Sequence, residues 1–355
     1  MAGGGIGDEI HVLVIDDSAV VRNFAWGLLT KSGGMSVETA ADPIIGQLKI
    51  QRRRPDVIIL DLNMPRMDGL TFLRQLMTED PIPVIVCSGY ADTEAGVQAL
   101  ELGAIEVLAK PKLGLQDYLY NSSDYFLEAV RAAAGVQDPG NLWAQEEATT
   151  TMRLPKAKPL AAEPIVAIGA SSGGTQTLRY VLERLPRNAP GIVVVQHMPE
   201  HFTRTFAEHL NDSCVVRVQE AGDGDVVRRG RVLIAPGNRH LVLDGPQNDE
   251  GWRVRLDDGP EECRHRPSVD VLFRSVARVA GSEAIGVILS GMGNDGVAGL
   301  QAMKEAGAMT LAQNEATCAI FGMPKRALLS GAADRAATPD TIAEILRQNR
   351  REELC

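Results

Sequence analysis

Short apolar runs alternate along the chain with stretches whose apolar positions recur at helical spacing. In the first third the runs are Val12–Ile15, Met35–Val37, Val57–Leu60, Ile82–Val86 and Ile105–Ala109. Between them, Leu70, Leu73, Leu76 and Met77 share one face of a helix predicted over Asp68–Met77. A run that is apolar at consecutive positions suits a strand covered on both faces, and the intervening helices supply the cover. Five such strand–helix units predict a doubly wound, five-stranded parallel sheet.

The same alternation returns downstream. Ile165–Ile168, Ile192–Val195, Val215–Val218, Val232–Ala235, Ile285–Leu289 and Ala308–Leu311 predict a second doubly wound α/β domain. Leu241–Asp244 and Trp252–Leu256, separated by the polar turn Gly245-Pro-Gln-Asn-Asp-Glu-Gly251, predict an antiparallel hairpin inserted into it. From Gly135 to Ala162 the chain is rich in Gln, Glu, Thr, Lys and Pro and loses its periodicity, as a linker does. The expected organisation is a domain over 8–134, a linker over 135–162 and a second domain over 163–350.

Composition bounds the setting. At 355 residues with 45% hydrophobic content, two domains can each bury a core of their own. A formal net charge of −10 argues against nucleic acid or an anionic membrane surface as partner. Met1-Ala-Gly-Gly-Gly-Ile-Gly-Asp8 lacks the basic and apolar regions of a signal peptide, and no apolar stretch approaches the ~20 residues that span a bilayer. A cytoplasmic location without membrane insertion is expected. Five cysteines without C-x-x-C spacing suggest neither a disulfide framework nor a zinc cluster.

In the first domain, acidic residues stand where strands should end. Asp16 and Asp17 follow the first run and Asp61 the third, while Ser88 follows the fourth and Lys110 the fifth. In an open α/β sheet those carboxyl ends meet in one crevice. Three carboxylates there suit a hard octahedral cation such as Mg²⁺. A lysine and a hydroxyl beside them suit a phosphoryl group carried on one carboxylate. Asp16-Asp17-Ser18 alone reads more readily as a helix cap; the convergence of all five positions reverses that preference in favour of the binding site.

With Asp61-Leu-Asn-Met-Pro-Arg-Met-Asp-Gly-Leu70 and Lys110-Pro111, this region resembles the flavodoxin-like receiver domain of two-component response regulators over Ile10 to Ala134. The resemblance implies that Asp61 is phosphorylated, that Asp16 and Asp17 hold Mg²⁺ with it, that Lys110 contacts the phosphoryl group and that Ser88 senses it. Val107 stands where many receivers carry an aromatic switch residue. That departure bears on an aromatic-rotamer readout and leaves phosphorylation intact.

In the second domain, the run ending at Ile168 feeds into Gly169-Ala170-Ser171-Ser172-Gly173-Gly174, and the helix-compatible segment Thr175–Leu185 follows. Gly169 to Gly173 reads G-x-S-x-G, an elbow that exposes a nucleophilic hydroxyl above a sheet. The same turn can cradle a phosphate on backbone N–H groups, or merely connect strand to helix. A nucleophilic serine needs a histidine, oriented by a carboxylate. Of six histidines, His11 lies in the first domain, and His201 and His209 lie in a helix-like segment, Glu200–Leu210. His197, ending the run Ile192–Gln196, is the best base by strand position; His240 and His265 remain competitors. Asp295, in Ser290-Gly-Met-Gly-Asn-Asp295-Gly296, is the natural orienter or else a helix cap. Ser290 is a second serine on a glycine turn, without a glycine two residues before it.

These segments, with Gln196-His197-Met-Pro199, Ile234-Ala-Pro-Gly237, His265-Arg-Pro-Ser-Val-Asp-Val-Leu-Phe273 and Phe321-Gly-Met-Pro324, resemble the chemotaxis protein-glutamate methylesterase family, also protein-glutamine deamidases (the CheB family), from Pro164 to Leu346. The resemblance implies Ser171 as nucleophile, His197 as base, Asp295 as orienter and the Met292 backbone N–H in the oxyanion hole, to which elbow chemistry adds the N–H of Ser172. Asn314, Ser290 and Ser172 depart from common family residues without removing a catalytic group. It further implies methylated chemoreceptor cytoplasmic helices as substrate, a chemotaxis histidine kinase as phosphodonor, and a receiver that restrains the esterase until phosphorylated. Ester hydrolysis itself calls for no cofactor. A receiver-regulated scaffold without catalysis and a small-molecule carboxylesterase are the alternatives that these residues leave open.

Overall fold

Each apolar run becomes a strand over all or part of its length, and the strands around two crevices carry the candidate residues at or beyond their carboxyl ends. The computed structural model describes residues 9–89, 93–110, 123–136, 139, 164–245 and 251–348. The chain separates into two compact units, residues 1–141 and 142–355. Apart from Gly135, Val136 and Pro139, the expected linker lies outside the described residues.

In the first unit, β1 (Ile10–Ile15), β2 (Met35–Ala40), β3 (Val57–Leu60), β4 (Val84–Ser88) and β5 (Glu106–Ala109) form a five-stranded parallel sheet in the order β2-β1-β3-β4-β5. Val57 to Leu60 are all buried, as a strand covered on both faces requires. The strand order reverses between β1 and β3, where Val12 pairs with Val57 and Ile15 with Leu60. The crevice of a doubly wound sheet opens at such a point; Asp16 and Asp61 are the next residues along the two strands. The fourth strand starts after Ile82 and Pro83 and runs on through Ser88.

In the second unit, β6 (Ile165–Ala170), β7 (Gly191–Gln196), β8 (Arg217–Glu220), β9 (Val226–Val227), β10 (Arg231–Ile234), β11 (His240–Asp244), β12 (Trp252–Asp257), β13 (Ala284–Ile288), β14 (Met309–Gln313) and β15 (Arg335–Ala337) divide between two sheets. Seven form a parallel sheet in the order β15-β14-β13-β6-β7-β10-β8. The predicted hairpin, β11 with β12, gains β9 as a third antiparallel strand. Neither β9 nor β15 was expected, because two valines, or one arginine and two alanines, give no periodic signal. The third strand of this domain begins two residues later than its apolar run and ends on the polar Gln219 and Glu220, at the sheet edge where one face of a strand can be wet.

The central strand β6 has β7 on one side and β13 on the other. Chain order thus reverses around β6, and its carboxyl end is the crevice of this sheet. The helix Val269–Ala280 brings Leu272, Phe273 and Val276 into one buried cluster with Val193 and Val195 of β7 and Leu241 and Leu243 of β11. Full burial of each such side chain contributes roughly 1.5–3 kcal/mol. That packing holds the start of the helix beside the crevice.

Candidate functional site

Ser171 is the first residue after β6. Its N–H donates to the Ser290 carbonyl at 3.0 Å, and its own carbonyl accepts from Gly174 N at 2.8 Å and Gln196 Nε2 at 2.9 Å. Gly173 closes the turn at φ +70°, a left-handed conformation that favours glycine. With the backbone pinned, the hydroxyl is the group left to reorient. Ser171 Oγ lies 3.2 Å from His197 Nδ1, at the end of β7. His197 Nε2 lies 2.9 Å from Asp295 Oδ2, beyond β13. A carboxylate at Nε2 assigns the ring proton there, so that Nδ1 accepts from the serine hydroxyl.

Asp295 is 1% exposed, yet its carboxylate is fully satisfied. Oδ1 accepts from Ser268 Oγ at 2.8 Å and Asp270 N at 3.0 Å; Oδ2 accepts from Val269 N at 2.7 Å as well as from His197. Burial alone would raise its pKa. The hydrogen bond and charge of His197, with the backbone N–H groups of Asp270 and Val269, outweigh burial and hold it at about 2. The N-terminal end of the helix Val269–Ala280 adds its own positive potential. Asp295 does not cap the helix Val297–Glu305; Gly296 occupies that position.

The competing residues are accounted for by their own bonds. His240 donates from Nε2 to the Pro260 carbonyl at 2.9 Å and accepts at Nδ1 from Ser268 N at 3.1 Å, so both ring nitrogens serve the backbone. Ser290 Oγ donates toward the Ser172 carbonyl at 3.0 Å and accepts from Ile320 N at 3.0 Å, clamping two turns together. His201 precedes the helix Phe202–Ser213 and His209 lies within it, while His11 is buried on β1. His265 lies flat on His197, ring centroids 3.8 Å apart and planes 5° from parallel. Burial first, and then the charge of His197, push the pKa of His265 down to about 4.

A Cβ on Gly291 would fall 2.7 Å from Ser171 Cβ, so the Gly291–Met292 turn passes directly beside the serine. The Gly291 carbonyl accepts from Gly322 N at 3.2 Å and Met323 N at 2.8 Å. In a trans peptide the Met292 N–H points away from those two partners. Ser172, buried at the elbow, follows the serine directly. Ser268 and Gln196 are site residues that sequence reasoning missed. Ser268 left a signal, a serine just before the apolar-periodic run Val269-Asp-Val-Leu-Phe273.

In the first unit, carboxylate oxygens of Asp16, Asp17 and Asp61 lie within 4.8 Å of one another, Asp16 and Asp61 buried and Asp17 exposed. Lys110 Nζ bridges Asp16 Oδ2 at 2.9 Å and Asp61 Oδ2 at 2.7 Å. Ser18, whose Oγ accepts from Val21 N at 3.5 Å, is the helix cap; its N–H also donates to Asp16 Oδ1 at 2.8 Å. That leaves Asp16 and Asp17 to the crevice. Lys110 N donates to the Ser88 carbonyl at 2.7 Å, tying the ends of β4 and β5 together. Burial, aided by the charge of Asp16, raises the pKa of Asp61 despite Lys110. Three carboxylates against one ammonium leave net negative charge on hard oxygen donors, which fits a small divalent cation.

Residues 12–116 match the response regulator receiver domain family, and residues 166–346 match the CheB methylesterase family. The chain belongs to the CheB methylesterase family. Within that family, it is 47% identical to protein-glutamate methylesterase/protein-glutamine glutaminase 3 of Geobacter metallireducens, the match covering 96% of this chain and 99% of the relative. It is 49% identical to protein-glutamate methylesterase/protein-glutamine glutaminase 5 of Anaeromyxobacter dehalogenans, over 95% of this chain and 96% of the relative. The crystal structure of the CheB methylesterase catalytic domain of Thermotoga maritima superposes with a TM-score of 0.51 at 38% identity, covering 52% of this chain and 98% of that one.

Proposed function

We propose that the chain is a phosphorylation-regulated hydrolase that removes methyl groups from glutamate methyl esters on chemoreceptors and deamidates receptor glutamines. The observation that carries this reading is the unbroken relay from Ser171 Oγ through His197 to Asp295, with its three members in the turns that follow three adjacent strands. A scaffold that only binds would not need a buried carboxylate kept ionised behind a histidine.

Ser171 Oγ attacks the ester carbonyl while His197 Nδ1 takes its proton. The imidazolium that forms keeps its Nε2–H on Asp295, whose low pKa keeps the proton on the ring. Backbone N–H groups of Ser172 and Met292 hold the tetrahedral oxyanion. The side-chain carbonyl re-forms as its bond to methoxide breaks, and His197 gives its proton to the departing oxygen, so methanol leaves. Water, deprotonated by the same Nδ1, then attacks the acyl-serine, and the products are a free glutamate carboxylate and Ser171 restored. With a glutamine amide the same steps release ammonia, with greater demand on His197 as acid.

In the receiver unit, Asp61 accepts the phosphoryl group from a chemotaxis histidine kinase. Asp16, Asp17 and Asp61 would hold Mg²⁺, which when bound offsets phosphoryl charge. Lys110 supplies the second cation, and the Ser88 hydroxyl reads the modified state. The enzyme works in the cytoplasm on receptor helices; among the described residues no helix is long and apolar enough to cross a membrane. The test is methanol release from methylated receptor, with and without a phosphodonor, for the parent and Asp61→Asn. Release that is absent, or matched on generic methyl esters, overturns the receptor assignment. Release that ignores the phosphodonor overturns the regulation.

A further inference from the structure

We propose that His265 is a positioning residue: its ring forms the flat wall that fixes the plane of the His197 imidazole between Ser171 and Asp295. The inference rests on His197 acting as the base in the reaction proposed above. Two hydrogen bonds, at Nδ1 and Nε2, fix two points of the His197 ring. They leave one freedom, rotation about the line joining those nitrogens, and that rotation bends both bonds away from linearity. A second ring, 3.8 Å away and 5° from parallel, removes it.

The wall is itself held with unusual care. Glu262 and His265 exchange both backbone hydrogen bonds, Glu262 N to the His265 carbonyl at 3.1 Å and His265 N to the Glu262 carbonyl at 2.9 Å. The two residues between them, Cys263 at φ 52° and Arg264 at φ 66°, are both left-handed and neither is glycine. A two-residue turn of this hand ordinarily takes Asn-Gly or Asp-Gly, and side chains held there store strain that surrounding structure must sustain. His265 Nδ1–H donates to the Cys263 carbonyl at 2.7 Å, which fixes the ring relative to the turn. The turn is tied in turn to the helix Val269–Ala280 by an ion pair between Glu262 and Arg274. That helix also holds Asp295 through Val269 and Asp270. One rigid element therefore carries both the acid behind His197 and the wall beside it.

Charge agrees with the role. When Ser171 gives up its proton, His197 becomes a cation, and a neutral aromatic face against it is favourable where a second cation would oppose it. With its pKa pushed down to about 4, His265 is neutral around pH 7. Its Nδ1 is engaged by the backbone rather than turned to the serine, which separates it from an alternative base.

The experiment is steady-state methanol release from methylated receptor by the phosphodonor-treated full chain, comparing the parent, His197→Ala, His265→Leu and His265→Phe. Leucine fills the volume without a flat face; phenylalanine keeps the face without the nitrogens. Leucine is expected to lower kcat on the order of 10- to 100-fold with KM little changed, as loss of reactive geometry does. Phenylalanine is expected to restore most of that loss. His265→Ala serves as a second variant without a flat face should the leucine chain not fold. A leucine or alanine variant with parental kcat overturns the inference, as does a loss confined to KM. A phenylalanine variant as impaired as leucine overturns it too, since the imidazole chemistry would then matter and not the wall. A parent that releases no methanol, or an undiminished His197→Ala chain, instead overturns the hydrolase reading beneath it.

Discussion

Ser268 Oγ donates to Asp295 Oδ1 at 2.8 Å while also accepting, at 3.4 Å, from the N–H of Val271 in the helix that it caps. One hydroxyl thus serves a helix end and the acid of the relay. Ser268→Ala should cost about 1 kcal/mol of stability through the lost cap. It should also lower kcat with KM unchanged, because Asp295 loses a donor that helps keep it ionised. Thermal unfolding and methanol release together check both effects; a variant with lower stability and parental kcat would confine Ser268 to the helix.

The two serines on glycine turns should separate cleanly. Ser171→Ala removes the proposed nucleophile from a position whose backbone bonds are all retained, so the chain should fold as the parent does and release no methanol. Ser290→Ala leaves Ile320 N and the Ser172 carbonyl, both buried, without their hydroxyl partner. Unmade buried hydrogen bonds cost roughly 1–3 kcal/mol each. The Ser290 variant should therefore melt early while its folded fraction keeps turnover. Methanol release per folded molecule, with unfolding followed by circular dichroism, distinguishes the two roles.

The strand ends are readable because strands buried on both faces are written as unbroken apolar runs, so the polar residues that follow each run mark the crevice. Asp16, Asp61 and His197 stand at such ends, and Ser171 is marked by the glycine elbow Gly169-Ala-Ser-Ser-Gly173 that follows one. Asp295 lies further along its turn, and only its neighbours in space explain why it does not cap the helix after it. Ser268 and His265 act across the fold, on Asp295 and on the face of His197, and no periodicity links partners so distant in sequence. Arg335–Ala337 and Val226–Val227 are strands because neighbouring backbones offer them a ladder, a tertiary cause absent from their own residues.

Acid stability should carry the mark of His265. Its pKa is near 6.5 when unfolded and about 4 when folded, so between these values the unfolded chain binds more protons. Stability then rises with pH across that window and falls on acidification. Asp295 works lower: its pKa drops from 3.8 to about 2 on folding, so its contribution is complete above 3.8 and is lost as pH falls toward 2. Denaturant unfolding from pH 7 to pH 4 should show a shallower slope for His265→Phe than for the parent. Equal slopes would mean that the folded chain protonates His265 as readily as the unfolded one.

Chelation should divide the two chemistries of the chain. On the proposed reading, phosphorylation of Asp61 would bring nearly two negative charges into a crevice that already holds three carboxylates, and Lys110, shared between Asp16 and Asp61, would offset only part of that charge. Removing divalent cations with EDTA should abolish labelling by a small-molecule phosphodonor, while the unstimulated rate of ester hydrolysis persists, because the proposed relay of Ser171, His197 and Asp295 calls only for proton transfer. Lys110→Ala should lose the phosphodonor-dependent increase in methanol release even with cation present, since the ammonium that meets the phosphoryl oxygens is gone. The unstimulated rate in that variant should stay close to that of the parent, because the substitution leaves the reactive geometry of the second unit in place. Labelling with radioactive phosphodonor, read beside methanol release, follows both arms in one preparation. Hydrolysis that disappears with EDTA would show the relay to depend on a cation after all.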